Sequence, residues 1–159
     1  MNEQAMQSIV DAVVSNIKPS KDMTLDAAQR LAAKVRARAE QMGVKAVVAI
    51  SNKAAHPVLV ESMDDAYIAS YDIAVQKAFT VVSLKMSTST LKPLAQPGGS
   101  LYGIQFTNAG KIVVFGGGEP LKNPQGEIIG GIGVSGGSEE QDTKLAAYGK
   151  EIFEKGQYL

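Results

Sequence analysis

His56 is the single histidine of the chain, and the chain contains no cysteine. The lack of cysteine excludes disulfides, thiolate metal sites, iron–sulfur clusters and cysteine nucleophiles. One histidine cannot form a multi-histidine metal site, but it is sufficient as an axial ligand of a haem iron. Because His56 lies in the segment 51–57 between two short β-type runs, the sequence predicts either an imidazole exposed in a hairpin loop or a metal ligand.

Glycine is concentrated in two short segments, at residues 116–118 and 130–137. Neither segment has the lysine followed by serine or threonine that completes a phosphate-binding loop. The letters GxGxxG occur at 131–136, but late in the chain and outside the opening βαβ unit that a dinucleotide site requires. The glycines therefore predict either close backbone contacts, which glycine in strands usually marks, or a side-chain-poor opening for a flat ligand.

The other charged and nucleophilic side chains offer little catalytic machinery. Ser135 lies in a pattern similar to a nucleophile elbow, but His56 is the only histidine base, so a hydrolase triad is not indicated. The paired carboxylates at 64–65 are typical of a turn, and those at 139–140 suit the first turn of a helix. Lys77 and Lys85 could share one face of a helix, where two ammonium groups could bind propionates or another dianion.

The composition describes a globular chain with no attraction to polyanions. The 159 residues suit one domain, and 16 basic side chains balance 16 acidic ones. Aromatic residues make up 6% of the chain and tryptophan is missing, so a nucleic-acid-stacking surface is not expected. No apolar run approaches the length of about 20 residues that spans a membrane, and the first residues lack a signal-peptide core. The sequence therefore predicts a cytoplasmic protein.

Hydrophobic periodicity and turn residues divide the chain into elements. Helical spacing, the predicted N-cap Thr24 and the predicted capping box of Ser138 and Gln141 indicate helices at 3–17, 24–43, 70–86 and 138–153. Short β-type runs predict strands at 44–50, 58–60, 102–106, 111–115, 120–122 and 127–134. The segment 87–100 is rich in turn formers and is predicted to be a loop.

The order of these elements predicts the fold class. Consecutive strands joined by short turns form an antiparallel sheet, because parallel neighbours need long crossovers. The chain is therefore expected to fold as an α+β domain with helices on one or both faces of the sheet. Residues 1–20 are predicted to be an amphipathic helix with its linker, and residues 21–159 to be the domain itself.

Several motifs in fixed order resemble the GlcG/HbpS-like family, which includes the C-terminal domain of PduO-type proteins. They are MDDA at 63–66, YDIAVQKAFT at 71–80, QPGGSLYGI at 96–104, FGGGEPL at 115–121, GEIIGGIGVSGG at 126–137 and EQD at 140–142. The resemblance covers residues 24–150. It implies a profilin-like fold, with an antiparallel five-stranded sheet flanked by helices on both faces, and assembly into dimers or larger homo-oligomers.

The resemblance also implies haem as the cofactor. The loop 96–102, the turn 116–120 and the helix segment 77–80 would border its pocket. The chain departs from the family pattern at 51–55 and at Ser62, where the family usually has arginine, so the hairpin is altered and one anion partner is lost. Together with the residue-level analysis, the predicted cofactor-binding residues are His56, Lys77, Thr80, Lys85, Gln96, Tyr102, Gly117, Gly118 and Glu119. The iron ligand would be His56, or an oxygen donor such as Thr80 or Tyr102.

The function predicted from these observations is that of a non-catalytic accessory protein that binds haem or a related tetrapyrrole. By resemblance it could be linked to a diol or glycerol dehydratase, a microcompartment, or glycolate metabolism. The alternative is an oligomeric assembly or interaction factor without a prosthetic group, in which residues 3–17 either pack at a dimer interface or dock in a partner groove or a protein shell. A metal-free enzyme using Asp72, Tyr102 or Glu119 is a third hypothesis. Corrinoid adenosyltransferase activity belongs to a separate domain and is not expected.

Overall fold

The computed structural model describes residues 3–16 and 20–159, with side chains described for residues 3–9 and 20–159. The helices are α1 (Glu3–Asn16), α2 (Leu25–Gln41), α3 (Ile68–Ser83), α4 (Thr88–Leu94) and α5 (Glu139–Glu154). The strands are β1 (Val47–Asn52), β2 (Pro57–Ser62), β3 (Gly118–Lys122) and β4 (Ile128–Ser135). The predicted α+β class with an antiparallel sheet is confirmed.

The sheet has the strand order β2-β1-β4-β3, and every neighbouring pair is antiparallel. Among the described residues it has four strands, so the expectation of five is wrong, whereas the profilin-like classification stays a prediction. The predicted strand at 102–106 is instead a series of turns around Gly103, whose φ of 91° allows the chain to reverse. The predicted strand at 111–115 is bound to a helix, because the Val113 N–H donates to Thr80 Oγ1 at 3.0 Å.

Helices cover both faces of the sheet, as the alternation of side chains along β1 demonstrates. Val48 and Ile50 pack into the main apolar core with α2 and α5, whereas Val47 and Ala49 pack with Ala74 and other residues of α3. Successive side chains of a strand point to opposite faces, so α3 lies on one face while α2 and α5 lie on the other.

The helix boundaries follow from local hydrogen bonds. Thr24 caps α2 by accepting from the Ala27 N–H, and Ser138 with Gln141 forms the predicted capping box of α5. The helix α4 falls inside the predicted loop 87–100. Ser87 caps it by accepting from the Thr90 N–H, and Leu91 is fully buried.

The N-terminal helix is confirmed over Glu3–Asn16, and residue 17 of the prediction lies outside the described residues. Met6 and Ile9 expose 52% and 54% of their surface. Its apolar spacing therefore gives an exposed apolar face at the described positions. Within the described part of the chain, no helix has the length and apolar character needed to cross a bilayer.

The strands run between two ends of the sheet that are important for the site. One end, which we call the hairpin end, carries the β1–β2 connection at 53–56 and the β3–β4 connection at 123–127. At the opposite end, which we call the cleft end after the cavity described below, Val47 pairs with Ser135. The six residues of β1 separate these ends by about 17–20 Å, at roughly 3.3 Å per residue. Helix α3 connects them, because Ser70 contacts Ser135 at the cleft end and Val82 packs near Ala55 at the hairpin end.

Candidate functional site

The glycines of β4 allow α3 to lie directly on the sheet. A Cβ atom at Gly133 would lie 2.0 Å from the Ala74 carbonyl oxygen, and one at Gly131 would lie 2.8 Å from the Ala78 carbonyl oxygen. Both distances are shorter than a tolerable contact between a carbon and an oxygen atom. The close-approach explanation is therefore correct at both positions, and a side-chain-poor opening for a flat ligand does not exist there, because helix backbone fills the space.

Gly117 and Gly118 are enclosed in the same way. Gly117 has a φ of 114°, and a Cβ atom there would lie 2.5 Å from Lys77 Nζ. A Cβ atom at Gly118 would lie 2.9 Å from side-chain carbons of both Val81 and Thr88. Both predicted cofactor-binding glycines thus make room for neighbouring protein groups.

Lys77 is fully buried on the α3 face of the sheet. Its Nζ donates to the Val134 carbonyl oxygen at 2.7 Å and to Asp142 Oδ2 at 3.2 Å, and it lies 4.9 Å from the centre of the Phe115 ring. Burial lowers the pKa of Lys77, and the nearby Asp142 carboxylate opposes that shift. The Lys77 ammonium is therefore used within the protein and is not presented to a ligand.

Thr80 is also buried, and its hydroxyl makes its hydrogen bonds within the protein. Its hydroxyl donates to the Gln76 carbonyl oxygen at 2.7 Å and accepts from the Val113 N–H. Gln96 and Tyr102 lie instead on the exposed segment after α4, where the Gln96 amide donates to the Lys92 carbonyl oxygen. Tyr102 exposes 62% of its surface, so of the two predicted oxygen donors only its phenol is accessible.

Glu119 lies on the opposite face of the sheet from Lys77. Its Oε2 lies 3.5 Å from Lys150 Nζ of α5, beside a cavity of about 290 Å³ that Glu154 also lines. Burial raises the pKa of Glu119, and Lys150 partly offsets that rise. The structure therefore separates Glu119 from the other predicted site residues.

His56 and Lys85 both lie at the hairpin end. The Asn52 side-chain oxygen accepts from the backbone N–H groups of Ala54 and His56, which fixes the hairpin and leaves the imidazole exposed. Next to His56, Ala55 packs against the end of α3, together with the partly exposed Phe79. Lys85 follows that end of α3.

Lys111 lies near the same end of α3, because its Nζ is 5.5 Å from the centre of the Phe79 ring. We call His56, Phe79, Lys85 and Lys111 the His56 patch. It combines one imidazole, two ammonium groups and one aromatic ring. Of the predicted site residues, His56 and Lys85 belong to segments that lie at this end of the sheet.

A second region, at the cleft end, was not predicted as a site. Two adjoining cavities of about 460 Å³ and 280 Å³ share Tyr67, Gly136 and Gly137 in their linings. The smaller cavity, which we call the serine cleft, also contains Ser70 and Ser135. In the sequence, Ser135 is notable only because its neighbours resemble a nucleophile elbow. No nearby residue pattern indicates that Ser135 contacts Ser70.

No group of three or more histidine, cysteine, aspartate or glutamate side chains suitable for a metal ion occurs in the described part of the chain. The described residues therefore offer no cluster of side chains that could hold an iron ion by protein ligands alone. The donor chemistry of the His56 patch suits an iron already held in a macrocycle, which needs only one or two axial ligands.

Comparison with known proteins identifies relatives along most of the chain. A family model described as haem degrading protein HbpS-like matches residues 23–151. An uncharacterized 15.0 kDa protein from the dhaT–dhaS intergenic region of Citrobacter freundii is 41% identical over 131 residues, covering 82% of this chain and 92% of that protein. The corrinoid adenosyltransferase PduO of Salmonella typhimurium is 42% identical over 109 residues, covering 69% of this chain and 32% of PduO, so the chain spans about a third of that enzyme.

Solved structures agree with the sequence relatives. Klebsiella pneumoniae protein ORFY is 39% identical with a TM-score of 0.80, covering 87% of this chain and 95% of ORFY. The PduOC–haem complex is 36% identical with a TM-score of 0.78, covering 82% of this chain and 94% of PduOC. The family match over residues 23–151 and these long, similar relatives establish that the chain belongs to the HbpS-like family, as its motifs predict.

Proposed function

We propose that this protein binds haem and acts as an accessory protein rather than as a corrinoid adenosyltransferase. The observation that carries the proposal is the similarity to PduOC, which was crystallised as a haem complex and is matched over 94% of its length. The description of the matching family as haem degrading points to the same ligand. Adenosyltransferase activity is named for full-length PduO, of which the chain matches about a third.

We place the haem at the His56 patch. His56 would supply the axial nitrogen, Lys85 and Lys111 would attract the two propionates, and Phe79 would contact the macrocycle. Bound haem would supply a redox-active iron. In this arrangement the enclosed Lys77, Thr80, Gly117 and Gly118 hold α3 against the sheet and do not contact the ligand. Tyr102 remains the alternative oxygen donor to the iron.

Haem titration of the full chain tests the proposal. We expect a Soret band that saturates at stoichiometric haem, and we expect His56→Ala to shift this band and weaken haem binding at least tenfold. Lys85→Ala should weaken binding a few-fold, because one exposed ammonium contributes modestly to anion binding. The control is Lys144→Ala, which removes an exposed lysine of α5 paired with Glu140 and should leave the titration unchanged.

The same titration separates failure of the site from failure of the function. If His56→Ala binds haem normally while Tyr102→Phe changes the spectrum, the phenol is the ligand and the His56 patch is the wrong site. A featureless spectrum of the unmodified protein at stoichiometric haem would rule out the haem-binding function itself.

The cellular role extends this proposal. We propose a cytoplasmic homo-oligomer, with the profilin-like fold of its family, that supports a diol or glycerol dehydratase or a glycolate pathway. The C. freundii relative encoded between dhaT and dhaS motivates a search for the partner among proteins of that gene region.

A second candidate function is favoured by α1. This helix precedes residue 23, where the family match begins, so it is an addition to the matched domain. Its exposed Met6 and Ile9 begin an apolar spacing that continues in the sequence at Val10 and Val13. We propose that this stripe docks in an apolar groove of a dehydratase or of a protein shell.

Co-purification of this protein with a dehydratase or with shell proteins tests the docking role of α1. We expect deletion of residues 1–20 to abolish co-purification, and Met6→Asp with Ile9→Asp to reduce it at least tenfold because charge is costly in an apolar groove. The matched control is Gln4→Asp with Ser8→Asp, which adds the same charge at exposed polar positions. Co-purification that survives the deletion would eliminate this candidate.

A further inference from the structure

Two buried serines meet at the cleft end of the sheet. Ser135 is the last residue of β4 and Ser70 lies in the first turn of α3, and their Oγ atoms are 3.1 Å apart. Each serine exposes only 4% of its surface. They meet because Gly133 allows α3 to approach the sheet to within backbone contact of Ala74. The serine pair is therefore fixed by the same close packing that organises the fold.

The hydrogen-bonding capacity of this pair is not used up. Each hydroxyl has one hydrogen to donate, and the contact between the two oxygens uses one of them. Whichever serine donates, the other keeps a hydrogen that has no acceptor among the described residues. A buried donor without an acceptor costs free energy, so this position favours an acceptor atom from outside the protein.

The surroundings of the serines form a small amphipathic site. The serine cleft has a volume of about 280 Å³, and Tyr67, Ile73 and Phe115 give it an apolar and aromatic lining. This volume is near the lower limit of ordinary ligand pockets, so it suits a ligand with a single ring or a short aliphatic body.

The charged side chains that line the serine cleft are both carboxylates. Asp142 and Glu139 both line it. Asp142 is held by Lys77, and Glu139 accepts from Lys92 at 2.6 Å and from the Gly116 N–H. These hydrogen bonds lower the pKa of Glu139, first through Lys92 and then through Gly116, so this carboxylate stays ionised. Both carboxylates are thus already paired with lysines, and no lysine or arginine is among the described residues that line the cleft, so a carboxylate ligand would find no cation to pair with there. An uncharged ligand needs none.

We propose that the serine cleft binds a small uncharged molecule that presents a carbonyl or hydroxyl oxygen to the Ser70–Ser135 pair. The ring or short apolar body of the ligand packs among Tyr67, Ile73 and Phe115. This site is distinct from the His56 patch, since the two lie at opposite ends of β1, and the proposal does not depend on haem binding.

Benzamide is a suitable probe, because it joins one ring to one uncharged carbonyl. In NMR titrations of the full chain we expect saturable shifts confined to the residues of the serine cleft. Benzoate, which has the same ring but a negative charge, should bind at least tenfold more weakly. Ser70→Ala with Ser135→Ala should weaken benzamide binding fivefold to tenfold, because removing both hydroxyls leaves no donor for the carbonyl. Ser62→Ala with Ser100→Ala, two exposed serines outside the cleft, should have no effect.

A second variant keeps the test decisive if the double serine variant does not fold. Ala69 lines the cleft and is exposed, so Ala69→Phe should block the site without disturbing the core. We expect it to abolish the benzamide shifts. Unsaturable shifts spread over the surface, equal binding of benzoate, or benzamide binding that survives both Ala69→Phe and the double serine substitution would overturn the proposal.

Discussion

Asp142→Ala is expected to lower the free energy of unfolding by about 3–5 kcal/mol, because it leaves the buried Lys77 ammonium without its carboxylate. The substitution also removes the acceptor of the Gly137 N–H at the start of α5, which Asp142 Oδ1 accepts at 2.8 Å. Urea unfolding followed by circular dichroism measures the change, with the midpoint and the slope compared between variant and unmodified protein.

A double variant distinguishes the buried charge from the lost carboxylate contacts. Lys77→Met with Asp142→Asn removes both charges and keeps an oxygen for the Gly137 N–H, so we expect it to recover most of the stability that Asp142→Ala loses. The ion-pair explanation fails if Asp142→Ala costs less than about 1 kcal/mol, or if the double variant is as unstable as the single one.

Gly133→Ala is expected to destabilise the fold by more than about 3 kcal/mol, or to prevent folding. The added methyl group would lie 2.0 Å from the Ala74 carbonyl oxygen, and backbone on both sides cannot move without lifting α3 from β4. Thermal unfolding and the yield of soluble protein measure the effect.

Gly126→Ala is the matched control for that substitution. Gly126 lies in the β3–β4 connection with a φ of 80°, and a methyl group added there would have no described atom within 4 Å. It should therefore cost only the left-handed backbone penalty of about 1–2 kcal/mol. If the two substitutions have equal effects, close packing of α3 is not what the β4 glycines provide.

The sequence predicts those parts of the fold that depend on neighbouring residues. Thr24, Ser138 and Gln141 act within one helical turn, so their caps can be recognised from spacing alone. The helix α4 escapes recognition because Leu91 is its only buried apolar side chain, in a segment that is otherwise rich in polar residues and turn formers. The chain at 111–115 has strand-like composition but bonds to Thr80, and composition cannot reveal that partner.

The site is harder to predict because its contacts join distant parts of the chain. Lys77 and Asp142 are 65 residues apart, as are Ser70 and Ser135. A lysine on a helix is usually solvated, so only the tertiary structure reveals that Lys77 is buried. The sequence predicts the position of His56 in the hairpin from the neighbouring residues. It places Lys85 wrongly, inside a helix at 70–86 where it could share a face with Lys77, because α3 ends at Ser83 and Lys85 follows it with a φ of 56°.

The length of β1 has a consequence for measurements on this protein. Energetic effects at sites more than about 7–10 Å apart, with no shared partners, usually add to within 0.3–0.5 kcal/mol. The His56 patch and the serine cleft exceed that separation, so substitutions at one should act additively with substitutions at the other. The helix α3 touches both sites. A deviation from additivity would therefore measure the coupling free energy that α3 transmits from one end of the sheet to the other.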